Sequence, residues 1–149
     1  GMSTLQSRSA VQAEVDRLVH AFFEAVSFEH GSKPHYLRIR QLFIDDGLLI
    51  KNSGAVPEIS SLDAFIKPRQ ASVDSGELTR FFEAELSEVT QIFGNVAQRF
   101  SAYEKSGTLK GDPFQAKGMI STQFIRTPDG WRMSSMAWDD ERPGLALPA

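Results

Sequence analysis

The chain has 149 residues, no cysteine and a formal charge of −3 at pH 7, with acidic and basic residues interspersed throughout. This length suits one domain, able to bury about 70% of its unfolded surface without covalent staples. Without cysteine, disulfides, thiolate zinc sites and cysteine nucleophiles are excluded; without a run of Lys or Arg, so is the basic stripe of a nucleic-acid binder. Apolar runs are too short for a membrane span, so neither nucleic acid nor membrane is an expected partner. Gly1 before Met2 reads as an expression-tag scar, and the stretch through Ser3 and Thr4 lacks the pattern of a signal peptide, which implies a cytoplasmic protein.

In chain order, Ser9 is a candidate cap for a first helix, whose pattern could begin a turn earlier. Val11, Val15, Leu18, Val19, Phe22, Phe23 and Val26 form its apolar stripe. The segment from His30 to Pro34 breaks the pattern, with Gly31 a plausible C-terminal cap. A shorter helix follows, with Leu37, Ile39, Leu42 and Phe43 as candidate buried positions, and Asp45-Asp46-Gly47 reads as a tight turn. Leu48 to Lys51 is a short first strand, and Asn52 to Glu58 a loop. Ser60 or Ser61 caps a third helix from Leu62 to about Val73, in which Pro68 implies a kink or an early stop.

After Gly76 the period becomes twofold. Regular alternation sets Arg80, Phe82, Ala84, Leu86, Glu88, Thr90 and Ile92 on one face, and Phe81, Glu83, Glu85, Ser87, Val89 and Gln91 on the other. Gly94-Asn95 is a hairpin turn. Val96 to Lys105 is the next strand, with Gln98, Phe100 and Ala102 alternating against Arg99, Ser101 and Tyr103. A loop is expected from Ser106 to Pro113. Phe114 to Thr127 and Trp131 to Asp139 then pair around Pro128-Asp129-Gly130. The domain runs over 9–141, with loose termini at 1–8 and 142–149.

Three stretches carry a resemblance over nearly this whole span. They are Ala21-Phe22-Phe23-Glu24-Ala25 leading to Leu42-Phe43-Ile44-Asp45-Asp46-Gly47; Phe93-Gly94-Asn95-Val96-Ala97 running on to Ser101-Ala102-Tyr103-Glu104; and Asp129-Gly130-Trp131-Arg132-Met133 ending at Ala137-Trp138-Asp139-Asp140. In order and spacing they resemble the nuclear-transport-factor-2-like superfamily, which includes SnoaL-like cyclases, ketosteroid isomerases, scytalone dehydratases and limonene epoxide hydrolases. The resemblance implies an α+β, cystatin-like cone: about three N-terminal helices packed on a curved, mainly antiparallel sheet around a pocket, often dimerising through the sheet's outer face. It implies no single function.

Known chemistries of that superfamily do not transfer residue by residue. Ketosteroid isomerases carry a tyrosine in the first helix, an aspartate base after the double-Asp turn and an acidic donor on the penultimate strand. A rough ungapped alignment sets Phe22, Lys51 and Thr122 there, so isomerase activity by that route is not expected. The paired histidines of scytalone dehydratases have no counterpart, and the Asp-Arg-Asp arrangement of the epoxide hydrolases is not placed.

If the cone holds, its pocket candidates are His20, Phe22, Phe23, Lys51, Phe100, Tyr103, Thr122, Gln123 and Trp138. His20, Glu83, Glu85 and Tyr103 are the acid–base candidates, because paired carboxylates can split their pKa values. The alternative for Glu83 and Glu85 is a solvated strand face, or ion pairs to Arg99 on the neighbouring strand. Trp131 and Trp138, seven apart, fall on opposite faces unless a bulge intervenes. No metal site is expected from three scattered histidines and one Asp-Asp pair, and no cofactor motif is present. The expected function is binding of an apolar small molecule in an aromatic-lined pocket. The alternatives are a cofactor-independent lyase, isomerase or hydrolase, and a structural or partner-binding subunit. A homodimer is expected, because Met119 and Ile125 face one way while Ile120 and Phe124 face the other.

Overall fold

The first helix, α1 (Arg8–Val26), is capped by Ser7, not Ser9: the Ser7 hydroxyl accepts the Ala10 amide at 3.2 Å. The computed structural model describes residues 5–148; the tag-scar and signal-peptide readings concern Gly1 to Thr4, which lie outside them. All seven stripe residues of α1 are buried, with Ala25 beside them. A 3-10 turn, Tyr36–Arg38, leads into the single-turn helix α2 (Ile39–Leu42). Here Tyr36 is buried and the expected Leu37 is exposed, because the tight turn carries Leu37 outward.

Strand β1 (Phe43–Lys51) begins earlier than expected. Asp45-Asp46-Gly47 is an irregular stretch of that strand, not a turn: pairing with the last strand shifts register between Phe43 and Leu48. The expected loop after Lys51 ends in a short strand, β2 (Glu58–Ser60), antiparallel to β1. Ser61 caps α3 (Leu62–Asp74), its hydroxyl accepting the Ala64 amide at 3.1 Å. Pro68 does not stop this helix. The proline withholds one amide donor, and one turn earlier the Phe65 carbonyl accepts a guanidinium N–H from Arg69 at 3.1 Å.

Four long strands follow: β3 (Leu78–Phe93), β4 (Val96–Leu109), β5 (Asp112–Thr127) and β6 (Gly130–Asp140). The six form one sheet in the order β2-β1-β6-β5-β4-β3, antiparallel except where β1 runs parallel to β6. The expected loop from Ser106 to Pro113 is instead strand, closed by the two-residue turn Lys110-Gly111 at φ of 52° and 82°. Paired left-handed residues match the twist of a hairpin, which lets both strands run to its end.

Two bulges set which side chains face the helices. In β3 the register shifts between Glu85 and Ser87, so Phe81, Glu83 and Glu85 face inward together with Glu88, Thr90 and Ile92. Regular alternation put these two groups on opposite faces; the extra residue, Leu86, reverses that. In β6 the register shifts between Met133 and Ser135, with Ser134 the extra residue. Trp131 and Trp138 therefore lie on the same inner face.

The core fills the space between the helices and this face: Val15, Leu18 and Phe22 of α1, Leu49, Tyr103, Ile120, Phe124, Trp131, Met133 and Met136. The edge of β3 is tied to the chain leaving α1, where Phe28 and Phe81 exchange amide–carbonyl bonds of 2.8 and 3.1 Å. The Ser27 hydroxyl accepts the Glu83 amide at 3.1 Å. In the C-terminal segment, Arg142 and Leu145 close a small bridge. No helix of the described residues is long and apolar enough to cross a membrane.

Candidate functional site

The core is incomplete at one end of the cone. A cavity of about 420 Å³ lies between α1, α3 and the inner face of the sheet. Phe22, Phe65 and Trp138 form an aromatic wall, with Phe22 and Phe65 ring centroids 6.4 Å apart and Phe65 edge-on to Trp138 at 6.2 Å. Phe81 and Phe114 form another at 6.2 Å. Gly107 lets Phe114 lie flat on its strand: a Cβ there would meet the Phe114 ring at 2.5 Å and the Arg80 carbonyl at 2.6 Å.

Charged groups interrupt these walls in a defined set. Glu83 and Lys105 are cross-strand partners on β3 and β4, and both line the cavity. Lys105 Nζ lies 3.1 Å from Asp140 Oδ1 at the end of β6. The fully buried Tyr103 donates its hydroxyl hydrogen bond to the same Asp140 carboxylate, and the hydroxyl also lies 3.1 Å from the Asp139 carbonyl. Gly118 makes this packing possible, since a Cβ there would stand 2.2 Å from both the Tyr103 hydroxyl and the Asp139 carbonyl. From the helical side, Arg69 stacks its guanidinium 3.6 Å from the Phe65 ring centroid.

Glu83 is the unusual member. Its carboxyl makes no hydrogen bond or ion pair with any described residue. Burial, reinforced by Asp140 and opposed by Lys105 and Arg69, pushes its pKa from 4.5 up to about 7. A carboxyl that exchanges its proton near neutrality inside an apolar cavity is equipped for general acid–base work. Burial also pushes the Tyr36 hydroxyl up to about 12, and that of Tyr103 higher still with help from its bond to Asp140. Tyr103 is thus a positioning residue for Asp140, with its only hydroxyl proton already committed.

The sequence candidates divide sharply in space. Phe22, Lys51 and Trp138 line the cavity alongside Glu83. Phe23 is buried on α1 but faces a separate surface groove, and Thr122 is buried deeper in the core between Arg99 and Met136. Phe100 and Gln123 lie on the outer face, a correction to the expectation that they would point inward; Phe100 is 52% exposed. His20 is also corrected. It stands on the solvent side of α1, 3.0 Å from Glu24.

Glu85 leaves the acid–base set for a different reason. Its carboxylate is bound by Arg99 Nε at 3.0 Å and Nη2 at 2.5 Å and accepts the Ser101 hydroxyl at 2.6 Å. The buried Arg99 also reaches Asp16 of α1 at 2.6 Å, pinning the helix to the sheet. Breaking such a buried pair leaves an uncompensated charge, so Glu85 holds the fold. Sequence reading missed Arg69, Lys105, Asp140 and Tyr36. None of the four carried a signal: the regular hairpin register sets Ser106, not Lys105, beside Glu83, and only the bulge in β3 brings Lys105 there. Among the described residues, no group of three or more His, Cys, Asp or Glu side chains is arranged to hold a metal ion.

No protein-family model matches the chain, and no curated protein matches it in sequence. Solved structures do. An NTF2-like superfamily protein from Salmonella enterica serovar Typhimurium superposes with a TM-score of 0.76 at 13% identity, over 96% of this chain and 100% of that one. The Kfla4162 protein from Kribbella flavida gives 0.75 at 18% identity, over 91% and 94%. LinA gives 0.74 at 12% identity, over 95% and 96%. At these identities the likeness is one of architecture, and that architecture is the helix-on-curled-sheet cone already described: the fold of this chain is that of the NTF2-like superfamily.

Proposed function

We propose that the chain is a small-molecule-binding domain that holds a mainly apolar ligand in the cavity between α1, α3 and the sheet. The carrying observation is the cavity itself. Its volume of about 420 Å³ exceeds the ~300 Å³ at which ligand pockets begin, whereas packing voids in ordinary cores hold a water or two at most. Aromatic walls with a few convergent polar groups have the usual composition of such a site. Trp138 on the wall supplies the test. Aromatic and alicyclic compounds titrated into the protein should change its fluorescence saturably. Trp138→Phe should abolish that signal, and Ala116→Phe, which fills the cavity, should abolish binding measured by calorimetry. A broad panel without a saturable binder would overturn the reading.

A second reading, a cofactor-independent lyase, isomerase or hydrolase, is favoured by Glu83. In it Glu83 accepts a proton from a carbon of the bound ligand, and the nearby Lys105 offsets the negative charge that develops. A bound ligand incubated in deuterated water would then exchange a carbon-bound proton, detectable by NMR, and Glu83→Gln would stop the exchange. If the ligand binds and exchanges at the uncatalysed rate, binding is the whole activity.

The outer face supports a second copy of this chain as partner. Val89 and Phe100, a cross-strand pair, are 65% and 52% exposed, and Phe93 and Val96 at the hairpin are 86% and 53% exposed. The helices cover only the opposite face, and the two apolar pairs flank a hydrogen-bonded Gln91–Gln98 pair; exposed apolar side chains gathered on one face commonly mark an interface.

A further inference from the structure

We infer that the ligand is a small organic acid, with its apolar body against Phe22, Phe65 and Trp138 and its carboxylate met by Lys51 and Arg69. The inference rests on the binding reading and adds the charge of the ligand. Three cations line the cavity (Lys51, Arg69 and Lys105) against two carboxylates, Glu83 and Asp140. Lys105 and Asp140 cancel each other at 3.1 Å. With its pKa raised to about 7, Glu83 holds its proton about half the time at pH 7, so it offsets only part of one positive charge and its protonated form can donate a hydrogen bond.

Two cations are left over. The Lys51 side chain makes no hydrogen bond or ion pair with any described residue. Its cross-strand neighbour Glu58 is exposed and more than 4 Å from both Lys51 and Arg69, since neither forms a salt bridge with it. Among the described residues Arg69 makes one hydrogen bond, to the Phe65 carbonyl, and no salt bridge; Glu58 and Glu83 act on it only through space, which leaves guanidinium N–H groups open to a ligand. Both cations adjoin the same aromatic pair. Arg69 stacks on Phe65, Phe65 meets Trp138 edge-on, and Trp138 is the register partner of Lys51 on the parallel strand. A protein rarely shields cationic groups beside aromatic rings without a counter-charge, and a guanidinium with free N–H groups suits a planar carboxylate.

The test compares acids with their neutral amides: benzoate, naphthoate and indoleacetate, each against the corresponding amide, titrated at neutral pH by calorimetry. Each acid that binds should do so about tenfold more tightly than its amide, the difference between charge-assisted and neutral hydrogen bonds. Lys51→Met and Arg69→Gln should each reduce that ratio by weakening the acid far more than the amide, a comparison internal to each folded variant. Equal affinity, or tighter binding of the amides, would overturn the inference and leave the binding reading intact. Failure of every acid and every amide would remove both.

Discussion

Replacing Glu83 with glutamine removes a carboxyl that the folded chain prefers to keep protonated, and the consequence should be visible in stability as a function of pH. In the unfolded chain this carboxyl releases its proton near 4.5; in the folded chain, near 7. Below 4.5 both states hold the proton and pH has no effect through this group. Between 4.5 and 7 only the folded state holds it, so raising the pH favours the unfolded state and stability falls. Above 7 both states have lost it and the loss is complete. At about 1.4 kcal/mol for each tenfold change in proton affinity, the full effect is about 3 kcal/mol. Glutamine has the same shape and no proton to lose. Urea unfolding of both proteins across the range from mildly acidic to mildly alkaline would isolate the difference, because every other titrating group is common to them. The glutamine variant should gain on the native protein by about 3 kcal/mol from the acid to the alkaline limit. A difference that does not change with pH would refute the claim that Glu83 sits desolvated in the cavity, and the acid–base reading would fall with it.

Two further predictions concern the frame around the site. Gly118→Ala places a methyl 2.2 Å from a backbone carbonyl and from the Tyr103 hydroxyl; it should cost about 1–3 kcal/mol in urea unfolding, and an unchanged midpoint would show that the Tyr103–Asp140 contact is looser than described. Phe100→Asp, on the exposed outer face, should convert the proposed dimer to a monomer in analytical ultracentrifugation, and a native protein that already sediments as a monomer would remove that proposal.

The helical half of the molecule was largely legible in the sequence. The stripe of α1 was read residue for residue, because helical periodicity is local and survives whatever packs against it. The misreadings there were equally local. Leu37 was taken as buried in place of Tyr36 because a 3-10 turn has a tighter period than the helix assumed. Pro68 was given more power to end α3 than it has. The short strand β2 was invisible, since three residues carry no period and are strand only because β1 lies alongside. The extent of the hairpin around Lys110-Gly111 was missed because its loop-like composition hid two residues whose left-handed conformation is what a tight hairpin needs.

The site was less legible, and the reason lies in two single residues. Counting back from the Gly94-Asn95 turn, a regular hairpin would set Glu83 opposite Ser106 and direct both away from the helices, with Phe82, Ala84 and Leu86 turned inward. The bulge at Leu86 sets Glu83 opposite Lys105 and brings Phe81, Glu83 and Glu85 to the inner face in their place. Counting from the turn before β6, a regular pairing would leave Trp138 and Asp140 on the outer face; the bulge at Ser134 turns both inward, opposite Ile120 and Gly118. Glu83, Trp138 and Asp140 therefore meet in one cavity through two insertions that leave no mark in the alternation of either strand. Because the side-chain period of a strand is two, one extra residue exchanges its faces completely from that point on. The polar face that looked suited to solvent becomes the wall of the cavity, and the apolar residues it displaces, Phe82 and Leu86, become 41% and 47% exposed. The same register change that assembles the charged site therefore adds Phe82 and Leu86 to an outer surface on which the turn register alone already sets Val89, Phe93 and Phe100.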